Sequence, residues 1–472
     1  MLKKIYKRIK SNRFIANSSM YLFSSFLIKA LSFITTPIFT RLMSTSDFGI
    51  VSNFVTWTSF FAMFICMQVS SGVVSAKINR GPERIDEYMA SIIRIAIVFA
   101  FIISAVTMAF REPIARLIEV DVSYVALLLV VAFGSSMTNV YSGYCVATEQ
   151  PKRKVAFSII TAVLNISLCL VLVIFSTDKA AGRIYGYTIT NLLIALYVVM
   201  FLFTKKRGQW NEVKKDIIYA LSFGVPLIPH LLANLINGNA DRVFLIKIWG
   251  DSAAGIYSVA YSIGMVALAL ANACTDAWTP WYFEETKNGN KKEIGKYFTV
   301  YSVTVAMCFF GIMMLAPEVM KIMASKEYYS GTSAIGYIAL GIFFLFMYHF
   351  PLCYEQYHGN TKFVAPATIV GALVNVGLNI YIIPRYGVDG AAFTTLISYI
   401  VLLVLHEIVA RKIIKGYNIP LIKYALPCAI AVIGFAVSKV TLEMGVIRYV
   451  ITAAFCAFYV AYMSMFLRRR TD

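Results

Sequence analysis

The chain has 472 residues, of which 59% are apolar and 14% are charged, and its formal net charge at pH 7 is +19. Soluble domains carry roughly 25% charged residues, so this composition, with a mean hydropathy of +0.72, excludes an ordinary soluble protein. The positive charge does not indicate a nucleic-acid partner, because the basic runs flank apolar stretches, where they set orientation and meet anionic lipid.

Fourteen apolar stretches follow one another along almost the whole chain. A helix needs roughly 20 apolar residues to cross a hydrocarbon core about 30 Å thick. No loop exceeds about 20 residues, which leaves no room for a soluble domain. We predict membrane spans at residues 16–40, 48–74, 88–110, 122–147, 155–176, 184–204, 222–246, 254–280, 297–316, 333–354, 363–383, 388–410, 422–438 and 446–466.

The basic residues lie mainly on one side of these spans. Together with the adjoining span ends, the N-terminal segment and every second loop carry 29 of the 43 lysines and arginines, whereas the other loops carry 12. Cytoplasmic loops hold the excess of basic residues. The distribution predicts fourteen spans with both termini in the cytoplasm.

Two short similarities indicate an internal duplication. Phe48–Ser52 at the start of span two parallels Ala254–Ser258 at the start of span eight, 206 residues later. Asn165 in span five parallels Asn375 in span eleven at an offset of 210 residues. Six spans is an even number, so both copies have the same orientation, and a pseudo-two-fold axis along the membrane normal would relate them.

The duplication predicts a two-lobed all-α membrane protein with an appendage. The Lys-rich link after span six is the natural boundary between the lobes. Spans thirteen and fourteen have no counterpart in the first copy. The predicted divisions are an N-terminal lobe of helices one to six (1–210), a C-terminal lobe of helices seven to twelve (211–415), and two additional C-terminal helices (416–472).

Three cations mark the first lobe as basic along its depth. Lys29 lies about thirteen residues into span one, too deep to reach the headgroups easily. A charge at this depth usually faces a cavity or a partner, so Lys29 either binds an anion between the lobes or pairs with a carboxylate of another helix. Arg94 either contacts substrate or extends to the cytoplasmic headgroups. Arg41 lies at the periplasmic end of span one, where a structural or headgroup role is the default, although its planar guanidinium suits phosphate.

The second lobe carries polar oxygens instead. Asp241 and Arg242 lie late in span seven, Asn375 and Asn379 share one face of span eleven, and Thr395 lies in span twelve. Together they offer the oxygens that a hard cation such as Na⁺ requires. Two alternatives remain: ordinary interhelical hydrogen bonds, or an Arg242–Asp241 ion pair that removes the site.

Asp276 is the remaining charged residue of interest within a span. It lies in the inner half of span eight. It either titrates as a proton carrier or forms a salt bridge to Lys29, and either role would be functional.

Four segments resemble a known family, and they occur in order through spans one to twelve. These segments are Thr36–Gly49, Asp241–Leu245, Gly255–Tyr261 and Ile383–Ala392. Through them the chain is similar to bacterial polysaccharide export proteins of the Wzx type. That family shares the MOP (multidrug/oligosaccharidyl-lipid/polysaccharide) exporter superfamily with the MATE multidrug transporters and the lipid II flippase MurJ.

The resemblance implies a MATE/MurJ-like fold and a function. Members of this family translocate undecaprenyl-pyrophosphate-linked oligosaccharide from the cytoplasmic to the periplasmic leaflet of the bacterial inner membrane, for O-antigen or capsule. In the MurJ branch, a sodium site uses an acid of span seven, two polar residues four apart in span eleven and a threonine of span twelve. Asp241, Asn375, Asn379 and Thr395 match this pattern, with Asn379 where an acid can occur.

We therefore expect a flippase that works by alternating access, with no enzymatic activity, since no P-loop or metal-ligand spacing is present. Without a nucleotide site, the energy is expected to come from an ion gradient, with Na⁺ or H⁺ as the coupling ion, from the membrane potential, or from consumption of the product outside. The expected partners are the lipid-linked glycan, the bilayer and the polysaccharide polymerase machinery. One alternative is a cation-coupled multidrug antiporter of the MATE type. The other is a membrane glycosyltransferase or polymerase, which would need a large periplasmic loop with carboxylates, whereas the outer loops of this chain are short.

Overall fold

The computed structural model describes residues 31, 33–205, 209–417 and 419–468, and every regular element within them is a helix. The predicted all-α fold is therefore confirmed. Within the described part of the first half, the helices are α1 (33–42), α2 (Thr45–Ile65), α3 (Val73–Asn79), α4 (Ile85–Ala109), α5 (Arg111–Ile118), α6 (Val122–Ala147), α7 (Pro151–Phe175) and α8 (Lys179–Phe203).

The second half begins after the link that follows α8, and its helices are longer. Short 3-10 turns connect several of them, and a π-helical turn extends α16. The helices described there are α9 (Trp210–Gly224), α10 (Ile228–Trp249), α11 (Asp251–Lys287), α12 (Lys291–Met314), α13 (Ala316–Met323), α14 (Thr332–Met347), α15 (His349–Tyr357), α16 (Val364–Ile408), α17 (Ile422–Val440) and α18 (Gly445–Arg468).

Polar side chains define where several apolar helices begin. The backbone N–H of Asp47 donates to Ser44 Oγ at 3.1 Å, and the Ser44 N–H donates to Asp47 Oδ2 at 3.0 Å, so a capping box starts α2. Asp178 accepts from the N–H of Ala181 at 2.9 Å and starts α8. These caps satisfy N–H groups that a helix end leaves unpaired.

Helix order repeats along the chain, as the duplication predicts. Helices α2 and α11 begin 206 residues apart, α5 and α13 begin 205 residues apart, and α6 and α14 begin 210 residues apart. In both halves a short helix follows a long one after a single residue, since α5 follows α4 and α13 follows α12 in this way. The repeat is thus visible in secondary structure as well as in sequence.

The described residues contain eleven helices that are long and apolar enough to cross a membrane. One of them, Val364–Ile414, is 51 residues long and covers the predicted spans eleven and twelve. The predicted span fourteen corresponds to a shorter apolar helix, Gly445–Ala461. Most of the predicted span one lies outside the described residues. With the 51-residue helix counted as two crossings and the predicted spans one and fourteen added, the eleven helices agree with fourteen crossings.

Gly387 divides the long helix α16 into two. Its φ of 51° and ψ of −126° are not helical, and its positive φ is one that glycine adopts at little cost. Pro384 precedes it by three residues. Near this break, Trp249 Nε1 donates to the Ile383 carbonyl at 2.8 Å. Two spans therefore occupy one nearly continuous helical element.

A second break divides span two between α2 and α3. Met67 and Gln68 have φ angles of 46° and 53°, the left-handed region that non-glycine residues rarely occupy. Gly224, at the end of α9, packs against this turn. A Cβ on Gly224 would lie 2.6 Å from the Met67 carbonyl oxygen, so only glycine allows this approach.

Helix α9, which follows the central link, is tied to the first half. Arg80 Nη2 lies 2.7 Å from Asp216 Oδ1, and Arg84 Nη1 lies 2.7 Å from Glu212 Oε2. The Asn79 amide nitrogen donates to the Tyr219 hydroxyl at 2.9 Å. The two acids and the tyrosine belong to α9, so this helix packs with the residues that precede it.

Contacts divide the chain into two compact units, residues 1–235 and 236–472. The division falls within α10, and the two C-terminal helices belong to the second unit. The predicted ranges 1–210, 211–415 and 416–472 remain a prediction.

Candidate functional site: a buried carboxylate in the second half

The candidate site forms around Asp241 on α10. Asn237 and Asp241 are four residues apart on this helix and share one face. The Asp241 side chain is only 1% exposed, and the Asn237 side chain is also buried. A polar face on a helix of a membrane protein must find polar partners, because the hydrocarbon offers none.

Three side chains from two other helices donate hydrogen bonds to Asp241. The Tyr257 hydroxyl on α11 donates to Oδ2 at 2.7 Å. The Asn379 amide nitrogen on α16 donates to Oδ1 at 2.9 Å. The Thr395 hydroxyl, beyond the Gly387 break of α16, also donates to Oδ2. The carboxylate therefore lies where α10, α11 and both parts of α16 meet.

Asn379 is the centre of a second layer of contacts. Its amide nitrogen also donates to Asn375 Oδ1 at 3.1 Å, one helical turn away. Its own Oδ1 accepts from the Thr394 hydroxyl at 2.5 Å. Asn375, Asn379, Thr394 and Thr395 are all buried. The arrangement fixes the amide of Asn379 between the two parts of α16.

The donor set fits a monovalent cation. Carboxylate, amide and hydroxyl oxygens are the ligands that hard cations prefer, and one carboxylate balances one positive charge in a buried place. The hydroxyls of Tyr257 and Thr395 can rotate to present a lone pair, and an amide can turn its oxygen toward the site. Without a cation, the donated hydrogen bonds stabilise the ionised carboxylate.

Arg242 does not pair with Asp241 within the described residues. Its guanidinium donates to Ser258 Oγ at 3.0 Å, Asn239 Oδ1 at 2.9 Å and the Gly238 carbonyl at 3.1 Å. The guanidinium carbon also lies 4.7 Å from the centre of the Tyr261 ring. The ion pair that would have removed the site is thus replaced by these contacts.

Of the other predicted site residues, Lys29 lies outside the described part of the chain. Arg41 is exposed and donates to the Pro37 carbonyl at 2.8 Å. Arg94, half-buried on α4, donates to the Ala90 carbonyl at 2.7 Å. Asp276 is exposed on α11.

Of the nine predicted residues, the structure therefore brings together Asp241, Asn375, Asn379 and Thr395. Arg242 adjoins them through Tyr257, whose ring centre lies 5.8 Å from its guanidinium carbon. That any of these residues binds a substrate or an ion remains a prediction.

Tyr257 contacts the carboxylate directly, but sequence reasoning did not select it. It occurs inside the Gly255–Tyr261 segment, which carried the family resemblance, and a tyrosine hydroxyl in mid-span needs a partner. This need for a partner is the feature of the sequence that could have identified Tyr257. The acceptor on α10, 16 residues earlier, could be identified only from the packing of the two helices.

A family model described as "Polysaccharide biosynthesis protein" matches residues 14–286, more than half of the chain. The chain belongs to this family. The predicted resemblance is therefore confirmed at the level of the polysaccharide biosynthesis family, and the match includes α10 and most of α11, with Asp241 and Tyr257.

Two relatives extend the match beyond the family model. An uncharacterized membrane protein of Haemophilus influenzae is 22% identical over 377 residues, which cover 77% of this chain and 89% of that protein. The succinoglycan biosynthesis transport protein ExoT of Rhizobium meliloti is 22% identical over 325 residues, which cover 66% of this chain and 62% of that protein.

Solved structures share the fold. The lipid II flippase MurJ, in an inward closed conformation, aligns with a TM-score of 0.68 and 14% identity over 95% of this chain and 100% of that chain. An inward-facing MATE family transporter of the MOP superfamily aligns with a TM-score of 0.65 and 17% identity over 81% and 94%. The MATE/MurJ-like fold is confirmed. The family and the described apolar helices identify a multi-pass membrane protein, and the solved structures that share its fold are those of a flippase and a transporter.

Proposed function

We propose that this protein is a flippase that moves undecaprenyl-pyrophosphate-linked oligosaccharide repeat units from the cytoplasmic to the periplasmic leaflet of the bacterial inner membrane, for O-antigen or capsule. The observation that supports this most is the combination of a polysaccharide biosynthesis family with the fold of a lipid flippase. The transport would work by alternating access, with the polyprenyl tail remaining in lipid while the head crosses.

The anionic head requires cationic contacts during its passage. Lys29, Arg41 and Arg94 are proposed to bind the pyrophosphate or acidic sugars. Arginine suits this role because its planar guanidinium can contact two phosphate oxygens at once. Lysine supplies a point charge at a depth where an uncompensated ion is costly.

Export of an anion is opposed by a membrane potential that is negative inside, so an entering cation is a sound source of energy. We propose Na⁺ at Asp241, Asn375, Asn379 and Thr395, because the four side chains converge there and supply one negative charge. When bound, the ion would neutralise the buried carboxylate.

Two predicted residues then have secondary roles. Asp276 is proposed as a proton carrier because it is an exposed carboxylate within an apolar helix. Arg242 would orient Tyr257 and so influence the carboxylate indirectly.

The test uses deletion of the gene in its native host and complementation with the wild type, Lys29→Ala, Lys29→Arg or the exposed-lysine control Lys326→Ala. Surface glycan and the leaflet location of lipid-linked repeat units are measured. We expect the deletion to remove surface glycan and retain repeat units on the cytoplasmic side. Lys29→Ala should reduce display at least about tenfold, the loss of one charge-assisted contact, whereas Lys29→Arg and Lys326→Ala should retain it.

Normal surface glycan in the deletion strain would contradict the flippase proposal. Normal glycan with Lys29→Ala would reject only the anion-binding role of Lys29. The shared MATE fold makes a multidrug antiporter the second candidate. It would gain support if the deletion strain became sensitive to cationic drugs while its surface glycan stayed intact.

The remaining proposals concern location and partners. Both termini are proposed to lie in the cytoplasm because the basic residues concentrate on that side of the spans. The polysaccharide polymerase machinery is the proposed protein partner, since it would consume the repeat units in the periplasm. Crosslinking in the native host would test this association.

A further inference from the structure

Another buried acid contacts α16 near its C-terminal end, away from Asp241. Glu355 on α15 is 0% exposed, and His406 on α16 is 1% exposed. Glu355 Oε1 lies 2.8 Å from His406 Nδ1. His406 follows Thr395 by eleven residues, roughly 16 Å along a helix, so the pair is separate from the site at Asp241.

The Glu355 carboxylate has incomplete compensation for its charge. Its second oxygen, Oε2, is buried without a hydrogen-bond partner among the described residues. In that part of the chain, no lysine or arginine forms an ion pair with Glu355. A buried carboxylate with one unpaired oxygen is costly as an anion, and one proton taken up by the pair cancels the net negative charge.

The neighbouring groups do not supply the missing charge. Arg411, one turn beyond His406, is held by Glu407 Oε2 and by the Ile419 carbonyl, both at 2.5 Å. The Tyr348 ring centre, at the end of α14, lies 5.3 Å from that of His406.

Other titratable groups on the packed elements have their own contacts. His349 Nε2 lies 3.0 Å from Thr279 Oγ1 of α11, and Cys353 Sγ lies 3.5 Å from the same hydroxyl. Tyr424 of α17 lies 2.8 Å from the Tyr417 hydroxyl. The only partner described for the Glu355 carboxylate is thus an imidazole, which can itself carry a proton.

We propose that Glu355 and His406 form a proton-binding site, separate from the Asp241 site and holding one proton between the two side chains. Binding forms one O–H bond at Glu355 or one N–H bond at His406, and release breaks that bond; no other bond changes. The Tyr354 hydroxyl, which donates to the Lys415 carbonyl at 2.5 Å, and the exposed His358 lie on the same short helical segment. Exchange is therefore expected from the end of α15 that the charge distribution predicts to be cytoplasmic.

The site deepens the proposed function, because a flippase coupled to cation entry needs a place near the cytoplasm where a proton is received or released. The proton-binding inference itself depends only on the pair. Glu355 is a positioning and proton-holding residue here, and no contact with the transported lipid is assigned to it.

The experiment reads the proton directly in the full-length protein in nanodiscs. The chain has four histidines, so the ¹⁵N imidazole signals can be assigned by single histidine replacements, and infrared difference spectra report protonated carboxylic acids. Spectra are recorded between about pH 5 and pH 9, the range in which histidine changes its charge. The variants are Glu355→Gln, His406→Gln and the matched acid control Glu407→Gln.

In the wild type we expect one proton on the pair at the acidic end, seen as a charged His406 or as a carboxylic acid band, and its loss at the alkaline end. Glu355→Gln should remove the band, or convert His406 to a neutral ring, whereas Glu407→Gln should retain the wild-type signal. If Glu355→Gln does not fold, His406→Gln serves instead, and the Glu355 acid band should then persist to higher pH.

A neutral His406 with no acid band from Glu355 at every pH would overturn the proposal. So would an unchanged signal in Glu355→Gln. These spectra require no transport, so a deletion strain that contradicts the flippase proposal would not contradict the proton-binding site. Spectra that contradict the proton-binding site would likewise leave the flippase proposal unaffected.

Discussion

Asp241 shows how a single buried charge is accommodated in the apolar interior of this protein. Three donors from two helices surround its carboxylate, and the adjacent Arg242 is directed toward Ser258, Asn239 and Gly238 instead. Arg242 therefore does not neutralise the carboxylate. Rotatable donors around a carboxylate can be exchanged for a cation, which would balance its charge.

Replacement of Asp241 by Asn should abolish sodium binding without loss of fold. The amide has nearly the same shape but no charge, and sodium affinity should fall by more than about 100-fold, beyond the effect of losing an outer-shell partner. In wild-type protein, NaCl but not choline chloride should raise the melting temperature by mass action. That sodium-specific increase should vanish in Asp241→Asn.

Asp389→Asn is the matched control, because Asp389 is an acid of the same half that pairs with Lys439 at 3.4 Å, outside the Asp241 cluster. It should keep the sodium-dependent increase. An equal response of wild type and Asp241→Asn to sodium would contradict the assignment.

At the scale of elements, the breaks in helices decide the local architecture. The left-handed turn at Met67 and Gln68 bends span two, and Gly224 ends α9 against it. Discontinuous helices in membranes need their freed polar groups satisfied by neighbouring protein. These contacts explain why α9 packs with the first half although it follows the central link.

Gly224→Ala should destabilise the protein by about 1–3 kcal/mol, a typical penalty for overpacking. The new Cβ would lie 2.6 Å from the Met67 carbonyl oxygen, and backbone cannot yield as a flexible side chain can. Gly311→Ala on α12 is the control, since nothing lies within 4 Å of its added methyl. Thermal unfolding in detergent measures both. Equal melting temperatures for the two variants would show that the turn is not tightly packed.

The last span is fastened to the second half by a buried arginine. Arg448 on α18 is only 2% exposed and pairs with Glu318 of α13. Glu318→Gln should destabilise the protein by about 3 kcal/mol, the lower end for a broken buried pair. The lower end is expected because Arg448 would still donate a hydrogen bond to the Leu442 carbonyl, at 2.7 Å. The exposed Glu327→Gln should change stability little. Denaturation of both variants gives the comparison, and equal stability would mean that the ion pair is dispensable.

For the whole molecule, the arrangement of spans follows from charge. The predicted orientation can be measured with fusions to alkaline phosphatase, which is active only in the periplasm. A fusion after Asp178, between α7 and α8, should be active, whereas a fusion at the C-terminal Asp472 should be inactive and a green fluorescent protein there should fluoresce. Phosphatase activity at Asp472 would reverse the orientation or change the number of spans.

The sequence alone determined the class of this protein. Apolar length and alternating basic loops predict a multi-span helical protein, because the bilayer imposes both. The repeated segments predicted the duplication, which the helix order bears out. Residue types in mid-span also indicated Asp241, Asn375, Asn379 and Thr395, since polar groups are rare there and seldom without purpose.

Only the tertiary structure decided which of those groups meet. Helical spacing relates Asn375 to Asn379, but the contacts of Asp241 on α10 with α16 join residues more than a hundred positions apart. The packing of separate helices also hid Tyr257, the contact of Arg242 with Ser258, and the pairing of Glu355 with His406. Local sequence determines where each helix forms and which of its faces is polar. The neighbour that each face contacts depends on how all the helices pack together.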